Sequence, residues 1–522
     1  MRVADYVMNF LAQKGAGTVF MLPGGGCMHL VDALGRCEGL DYITCLHEQA
    51  ASIAAESYAQ HTNGLSAVLV TTGPGGTNAV TGLAAAYIDS TPVMFISGQV
   101  KRADRKGTSG VRQMGSQEVE IVEVVRSLTK FAATVDDPEQ IRLMLQKAYH
   151  FAMSGRRGPV WLDIPLDVQA AEIDARNLPS FVADESRQKP DEGKIAAIKE
   201  LLAQAKRPLL LVGNGVKLAG AEQDLQTFRE HTHIPTLLTW KTIDMLDSTD
   251  PYYFGCPGGM GHRAANFILQ NADALLILGS RLDSSLTAWN HANFAPRAKK
   301  IMVDIDQAEI DKMHRLLALS LVADAKDVLD ALSGFTLDPQ RFNSWLAYCR
   351  RLKAKYPAVT EAMRNEQDYV NAHVFVEELS RQLTATDVIV PESSGGAGEI
   401  TYQVFAVKQG QKIKNAAGLG SMGFGLPYAI GACIANDKRR TILINGDGAF
   451  QLNIQELATV VHNKLPIKIF IWDNGGYASI RGTQDNYFAG NYVGADRASG
   501  LPPAGHGQNR RCLRFTDIHH QP

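Results

Sequence analysis

Three doubly wound parallel α/β units in one chain is the fold class this sequence predicts. Short apolar runs alternate with helix-patterned stretches along most of its length, as parallel sheets joined by crossover helices require. The runs are continuous rather than alternating, AVLV and VMFI among them, which suits strands covered on both faces. The 47 glycines cluster where those runs end, and 522 residues suffice for about three domains.

Taken in order, the first unit (1–170) holds TVFMLPGGG, a strand running into a glycine turn, and YITCLHEQAASIAAESYAQ, a short strand followed by an Ala-rich helix. LSAVLVTTGPGGTNAVTGLAAAYI then reads as strand, Gly-rich turn and helix, TPVMFISGQV as a strand, and WLDIPLDVQ closes the unit. A polar, Pro-containing stretch at 171–190 reads as a linker. The second unit (191–335) repeats the alternation through RPLLLVGNG, HIPTLLTW, ADALLILGSRLD and AKKIMVDID. A charged helical segment (336–368) leads to the third unit (369–496), which opens at DVIVPESSGG.

Composition narrows the function. Lys and Arg total 52 against 54 Asp and Glu, a net charge of −2, so neither nucleic acid nor an anionic membrane is expected as partner. No run reaches the roughly 18 apolar residues of a membrane span. The first residues, MRVADYVMNFLAQKG, carry Asp5 in an amphipathic pattern unlike a signal peptide. Seven cysteines without CxxC or finger spacing read as buried, reduced thiols of a cytoplasmic protein.

The chemistry concentrates in NGDGAFQLNIQELATVVHNKLPIKIFIWDNGGYASIR, residues 445–481. The strand TILIN ends in the turn Gly446-Asp447-Gly448, and a helix with Leu452, Leu457, Val460 and Val461 near a helical period follows. The run IKIFIW then delivers Asp473, Asn474, Gly475 and Gly476 to a second turn. Neighbouring parallel strands end at one sheet edge, where ligands bind, so this layout brings Asp447 and Asn474 side by side. A carboxylate, an amide oxygen and a loop carbonyl, that of Gly476, form an all-oxygen site suited to Mg²⁺ or Ca²⁺. Glycines flanking Asp447 let the backbone approach a diphosphate.

This stretch resembles the diphosphate-binding motif of thiamine-diphosphate (ThDP) enzymes: GDG, about two dozen residues, then an Asn pair. The first Asn of that pair is Asp473 here, while Asn474, the family's metal-binding position, is intact. The order of units is similar to that of the ThDP decarboxylase and acetohydroxyacid synthase group: pyrimidine-binding, central and diphosphate-binding domains. The resemblance runs to about residue 496. Residues 497–522 have no helix or strand periodicity and read as a truncated or frame-altered tail, or as a natural irregular one.

What the resemblance implies can be placed residue by residue. Glu48 in HEQAAS matches the glutamate that drives the coenzyme's pyrimidine into its imino form, with Gly25 of LPGGG and Gln117 beside the reacting centre. Met422 of GLGSMGFGLP matches the apolar prop that keeps the coenzyme bent, next to Ser421. Gly446, Gly448, Ala449, Asn474 and Tyr477 complete the cofactor contacts, and Asp447, Asn474 and Gly476 take the metal. The central GNG, GSRLD and VDID segments resemble the region that holds FAD in acetohydroxyacid synthases, a region other relatives leave empty. His29, His231 and His233 read as structural.

Two departures bear on substrate. Ser116 and Thr483 stand where the acetohydroxyacid synthases have large aromatics, which enlarges and polarises the acceptor pocket. The expected activity is ThDP- and Mg²⁺-dependent decarboxylation of a small 2-keto acid, pyruvate first, with transfer of the acyl unit to a carbonyl acceptor by a homodimer or homotetramer. The alternatives are a bulkier ketone or nucleotide-linked keto-sugar as acceptor, plain decarboxylation, or an inactive ThDP-binding homologue.

Overall fold

The computed structural model describes residues 1–183 and 189–501. Most of the tail expected to be atypical therefore lies outside the described residues. Three wholly parallel sheets follow one another. The first is built from β1 (Thr18–Met21), β2 (Asp41–Thr44), β3 (Ser66–Val70), β4 (Val93–Gln99), β5 (Phe131–Thr134) and β6 (Val160–Pro165), in spatial order β2-β1-β3-β4-β6-β5. The second contains β7 (Pro208–Val212), β8 (Thr236–Leu238), β9 (Ala274–Leu278), β10 (Lys299–Asp304) and β11 (Leu319–Val322), ordered β11-β10-β9-β7-β8. The third has β12 (Val388–Pro391), β13 (Lys412–Ile413), β14 (Thr441–Gly446) and β15 (Ile467–Trp472), ordered β13-β12-β14-β15. Each sheet has the order 2-1-3-4 within its own unit, so in each the chain reverses direction between its first and third strands. Ligands bind beyond the strand ends at such a reversal.

The continuous apolar runs behave as a two-sided parallel sheet demands. Every residue of β3, β4, β6, β7 and β9 is buried. The edge strands differ: only Ile43 of β2 is buried, and no residue of β15 is fully so. IKIFIW is thus apolar without being enclosed, because β15 has a neighbour on one side alone.

The helix Glu48–Thr62 crosses from the first unit to the third. Its alanines Ala50, Ala51, Ala54 and Ala55 are completely buried, and it lies against the helix Gly425–Ala435. A Cβ on Gly431 would fall 2.0 Å from the Ala54 carbonyl oxygen, so only glycine permits this approach. Ser57 Oγ donates to the Tyr428 carbonyl at 2.7 Å across the same contact. Small residues on both helices set the relation between the two outer units.

The helix expected after Asp447 is broken into pieces. Asp447–Phe450 is α-helical, Gln451–Glu456 is a 3-10 helix kinked at Asn453, and Leu457–His462 resumes the α-helix. Leu452 and Val461, expected on its apolar face, are exposed. Among the described cysteines all six are free thiols, five of them buried; Cys37 is half-exposed, contrary to expectation. Among the described residues no helix is long and apolar enough to cross a membrane.

Candidate active site

β14 and β15 pair in register, Asn445 opposite Ile471 and Gly446 opposite Trp472, so the two turns leave the sheet together. Asp447 is 2 % exposed, and its Oδ2 accepts the Gly476 N–H at 2.8 Å. The terminus of the Asn474 side chain lies 2.8 Å from the Gly476 carbonyl oxygen and 3.3 Å from Asp447 Oδ1. With its oxygen on that side, three acceptor oxygens converge; with its nitrogen there, the amide donates to both. Adjacent oxygens around an octahedral Mg²⁺ at about 2.1 Å stand roughly 3 Å apart, so the first arrangement has the spacing of a cation site. Arg481 braces the turn by donating to the Asn474 carbonyl at 2.6 Å and the Gly475 carbonyl at 3.3 Å.

The glycines of this edge divide by physical role. A Cβ on Gly448 would meet the Tyr477 ring at 2.6 Å, so Gly448 is required by protein packing. Gly446 has nothing within 4 Å of its missing side chain, which leaves room for a ligand at the turn. Ala449 is buried just behind it. Ser421 Oγ donates to the Met422 carbonyl at 3.1 Å, and Met422 is only partly buried. An ordinary core methionine would be enclosed. This one presents surface that remains to be covered.

At the first sheet's edge, Gly24 and Gly26 are forced by Thr71 and Thr72, while Gly25 between them has nothing within 4 Å of a built Cβ. Glu48 is 6 % exposed and opens its helix, capped by His47, whose Nδ1 accepts the Gln49 N–H. Its Oε2 accepts from Asn78 Nδ2 at 3.0 Å. Gly73, at φ +64°, makes room for the Gln117 carbonyl, 2.2 Å from where a Cβ would be. Gln117 itself sits at φ +64° and is exposed. Glu118 is fixed by backbone donors from Lys106, Met114 and Gly115, which outweigh the burial opposing them and hold its carboxyl below the usual range. Ser116 and Thr483 are both exposed. Glu48, Gly25 and Gln117 thus gather at one sheet edge and Asp447, Asn474 and Gly476 at another.

Several residues here escaped the sequence reading. Asn78 has no motif to mark its partnership with Glu48. Glu392, at the end of β12, is wholly buried, and desolvation pushes its carboxyl up to about 7 against the pull of the Ser393 and Gly425 N–H groups. Beside it Asn445 is equally buried, and its amide finds no well-formed hydrogen bond. PES and LIN read simply as strand ends, and nothing in their spacing signals a polar pair.

A cavity of about 670 Å³ opens where β7 and β9 end. Its walls include Asn214, Ser280, Asp304 and Trp289 of the central unit, Arg156 of the first and Gly418 of the third. Burial raises the Asp304 carboxyl to about 6. Gly213 and Gly215 are explained by contact with Gly279 rather than by a ligand.

Comparison with known proteins agrees with this architecture. Residues 1–124 match the N-terminal TPP binding domain of thiamine pyrophosphate enzymes, 195–332 their central domain and 394–507 their C-terminal TPP binding domain. The Escherichia coli acetolactate synthase isozyme 2 large subunit is 35% identical over 94% of this chain and 86% of its own length. The Corynebacterium glutamicum acetolactate synthase large subunit is 33% identical over 94% and 78%, and that of Lactococcus lactis 31% over 93% and 83%. With three ThDP-enzyme domains in this order and such relatives over nearly its whole described length, the chain belongs to the thiamine pyrophosphate enzymes, among the acetolactate synthase large subunits.

Proposed function

We propose that this chain decarboxylates a 2-keto acid, with pyruvate as donor, and joins the acyl unit to a carbonyl acceptor in the cytoplasm. The observation that carries the reading is the meeting of the Asn474 amide terminus with the Asp447 carboxylate and the Gly476 carbonyl beside the open face of Gly446. ThDP, when bound, supplies the nucleophilic carbon and the electron sink for loss of CO₂. Asp447, Asn474 and the Gly476 carbonyl would hold a Mg²⁺ on its diphosphate, and Met422 would support its ring system. Glu48, held by Asn78, would exchange a proton with the pyrimidine nitrogen, a general acid–base role worth about 10²–10⁴-fold in rate. Gly25 and Gln117 would lie beside the reacting carbon. Glu48 serves the coenzyme of a second copy in a homodimer or homotetramer. Exposed apolar side chains beside both edges support this: Met28, Tyr42 and Leu46 at one, Leu452, Tyr487 and Phe488 at the other.

Incubation with pyruvate, ThDP and Mg²⁺ should release CO₂ and form acetolactate; a ThDP-loaded protein releasing no CO₂ would sink the reading. CO₂ without acetolactate would favour the bulkier acceptor that the small, exposed Ser116 and Thr483 would admit. The central cavity would hold FAD, and Asp304 on its wall would serve as the acidic ribose partner of an α/β nucleotide site. Protein purified in the presence of FAD should retain flavin fluorescence after gel filtration, and an Asp304→Ala variant should lose it. Colourless native protein under those conditions would remove FAD from the proposal.

A further inference from the structure

Glu48 sits beyond an edge strand, and this makes its position hard to secure. β2 pairs with β1 alone, and the last sheet bond before the catalytic helix is the Cys45 N–H to the Met21 carbonyl at 3.0 Å. Leu46 and His47 then cross to the helix without a neighbouring strand. The third unit supplies their support. Glu456 Oε1 accepts the Leu46 N–H at 3.0 Å, and its Oε2 accepts the Thr459 hydroxyl at 2.7 Å. Asn453 adds a second tie, its Nδ2 donating to the Gly423 carbonyl at 2.7 Å and to Gln49 Oε1 at 3.3 Å. Gln455 Nε2 in turn holds Asn453 Oδ1 at 3.0 Å.

The backbone is shaped for this contact. Asn453 leaves helical geometry (φ −138°, ψ 28°) inside the Gln451–Glu456 segment, and a 3-10 stretch with such a kink within a longer helix often marks a functional joint. Gly423, at φ +83°, comes so close that a Cβ would stand 2.8 Å from Leu452 Cβ and 3.2 Å from Asn453 Nδ2. Asn453 is 2 % exposed and Glu456 fully buried. Burying a carboxyl is costly, and an apolar side chain would fill the same space more cheaply. What an apolar residue could not do is accept the Leu46 N–H.

We propose that Asn453 and Glu456 are positioning residues for catalysis, a hydrogen-bonded strap that fixes the Glu48 junction and the Met422 loop to one short segment. The segment is the one that begins at Asp447, so a single piece of chain locates the metal ligand, the apolar prop and the glutamate. The proposal rests on the roles given above to Glu48 and Met422. The strap lies within one chain and holds Glu48 whichever copy's coenzyme it serves. The substrate never touches either residue.

The test reads the coenzyme directly, without substrate. On holoenzyme loaded with ThDP and Mg²⁺, exchange of the coenzyme's thiazolium C–H proton for deuterium is timed by quenched-flow NMR. Asn453→Ala and Glu456→Ala should slow exchange, and pyruvate kcat with it, by about 10- to 100-fold, the scale of a misplaced catalytic group. The coenzyme dissociation constant and the pyruvate KM should change far less than the exchange rate, since neither residue would itself touch coenzyme or substrate. Glu456→Gln keeps an oxygen for the Leu46 N–H and should recover most of the rate. Thermal unfolding of each variant guards against misfolding, and Asn453→Ala decides the matter should Glu456→Ala fail to fold. Unchanged exchange, or a loss that only follows lost coenzyme binding or lost folded protein, would overturn the strap. Glu48→Gln separates the two levels: if it too exchanges at the native rate, the role of Glu48 falls and the strap with it. If Glu48→Gln is slow while the strap variants are fast, the strap alone falls.

Discussion

A methyl group at Gly448 would occupy space that the Tyr477 ring already fills, 2.6 Å away. The ring packs beneath the Asp447 turn, and the Tyr477 N–H is tied to the Ala495 carbonyl at 2.8 Å, so it cannot retreat without moving the Asp473–Gly476 loop. Gly448→Ala is therefore expected to displace Gly476 from Asp447 and weaken Mg²⁺-dependent ThDP binding by about tenfold or more, since overpacking of this kind costs about 1–3 kcal/mol. Titration of the apoprotein with ThDP at fixed Mg²⁺ measures it, and an unchanged affinity would show that the ring adapts. Gly446, with open space at its Cα, tolerates the same methyl as far as the protein's own packing goes. Two glycines flanking one aspartate look alike in the sequence. Their different physical demands become visible only when the side chain from residue 477 is in place.

At the level of elements, what the sequence made legible was whatever local chemistry determines. Continuous apolar runs ending in glycine turns announced parallel strands, and the β14–β15 register brings Asp447 and the Asn474 turn together as adjacent strand ends must. Sheet position was not legible. IKIFIW and AVLV are equally apolar, yet β15 lies at an edge and β3 in the interior, because enclosure depends on what neighbours the strand. The helical period after Asp447 was also read through a kink at Asn453, whose amide bonds Gly423 in its own unit and Gln49 in another. Ties across long sequence separations were the least legible of all. Leu46 to Glu456 spans 410 positions and Asn453 to Gln49 spans 404, and neither residue's neighbours betray the partner. Asn78 reaches Glu48 across only 30 positions, but a lone Asn in a Gly-rich turn looks like turn chemistry.

Across the whole molecule, the three units meet at a buried polar junction, and its charge is expected to tie stability to pH. Glu56, two turns along the helix that Glu48 begins, is fully enclosed, and its Oε2 has no hydrogen-bond partner. Its Oε1 accepts from Gln60 at 2.9 Å. Asp89 of the first unit faces it as a second acid, while Lys241 of the central unit pairs with Asp89 at 2.8 Å and donates to Gln60 and to the Asn415 carbonyl of the third unit. Tyr428 closes the ring by donating to Gln60 Oε1 at 2.8 Å. Burial first, and Asp89 second, push the Glu56 carboxyl up to about 8, with Lys241 and Gln60 opposing. An acid whose pKa is higher folded than unfolded favours the native state most when both forms are protonated. Its contribution is full below the unfolded value near 4.5 and is lost as pH rises to about 8, where the folded form also ionises. Glu56→Gln keeps the shape and removes the ionisation, so its unfolding midpoint should exceed the native protein's by several degrees at about pH 8, a difference that shrinks steadily towards about pH 4. Differential scanning calorimetry across that range gives the comparison. Two parallel curves would mean that Glu56 is already ionised in the fold and that Lys241, rather than a proton, balances it.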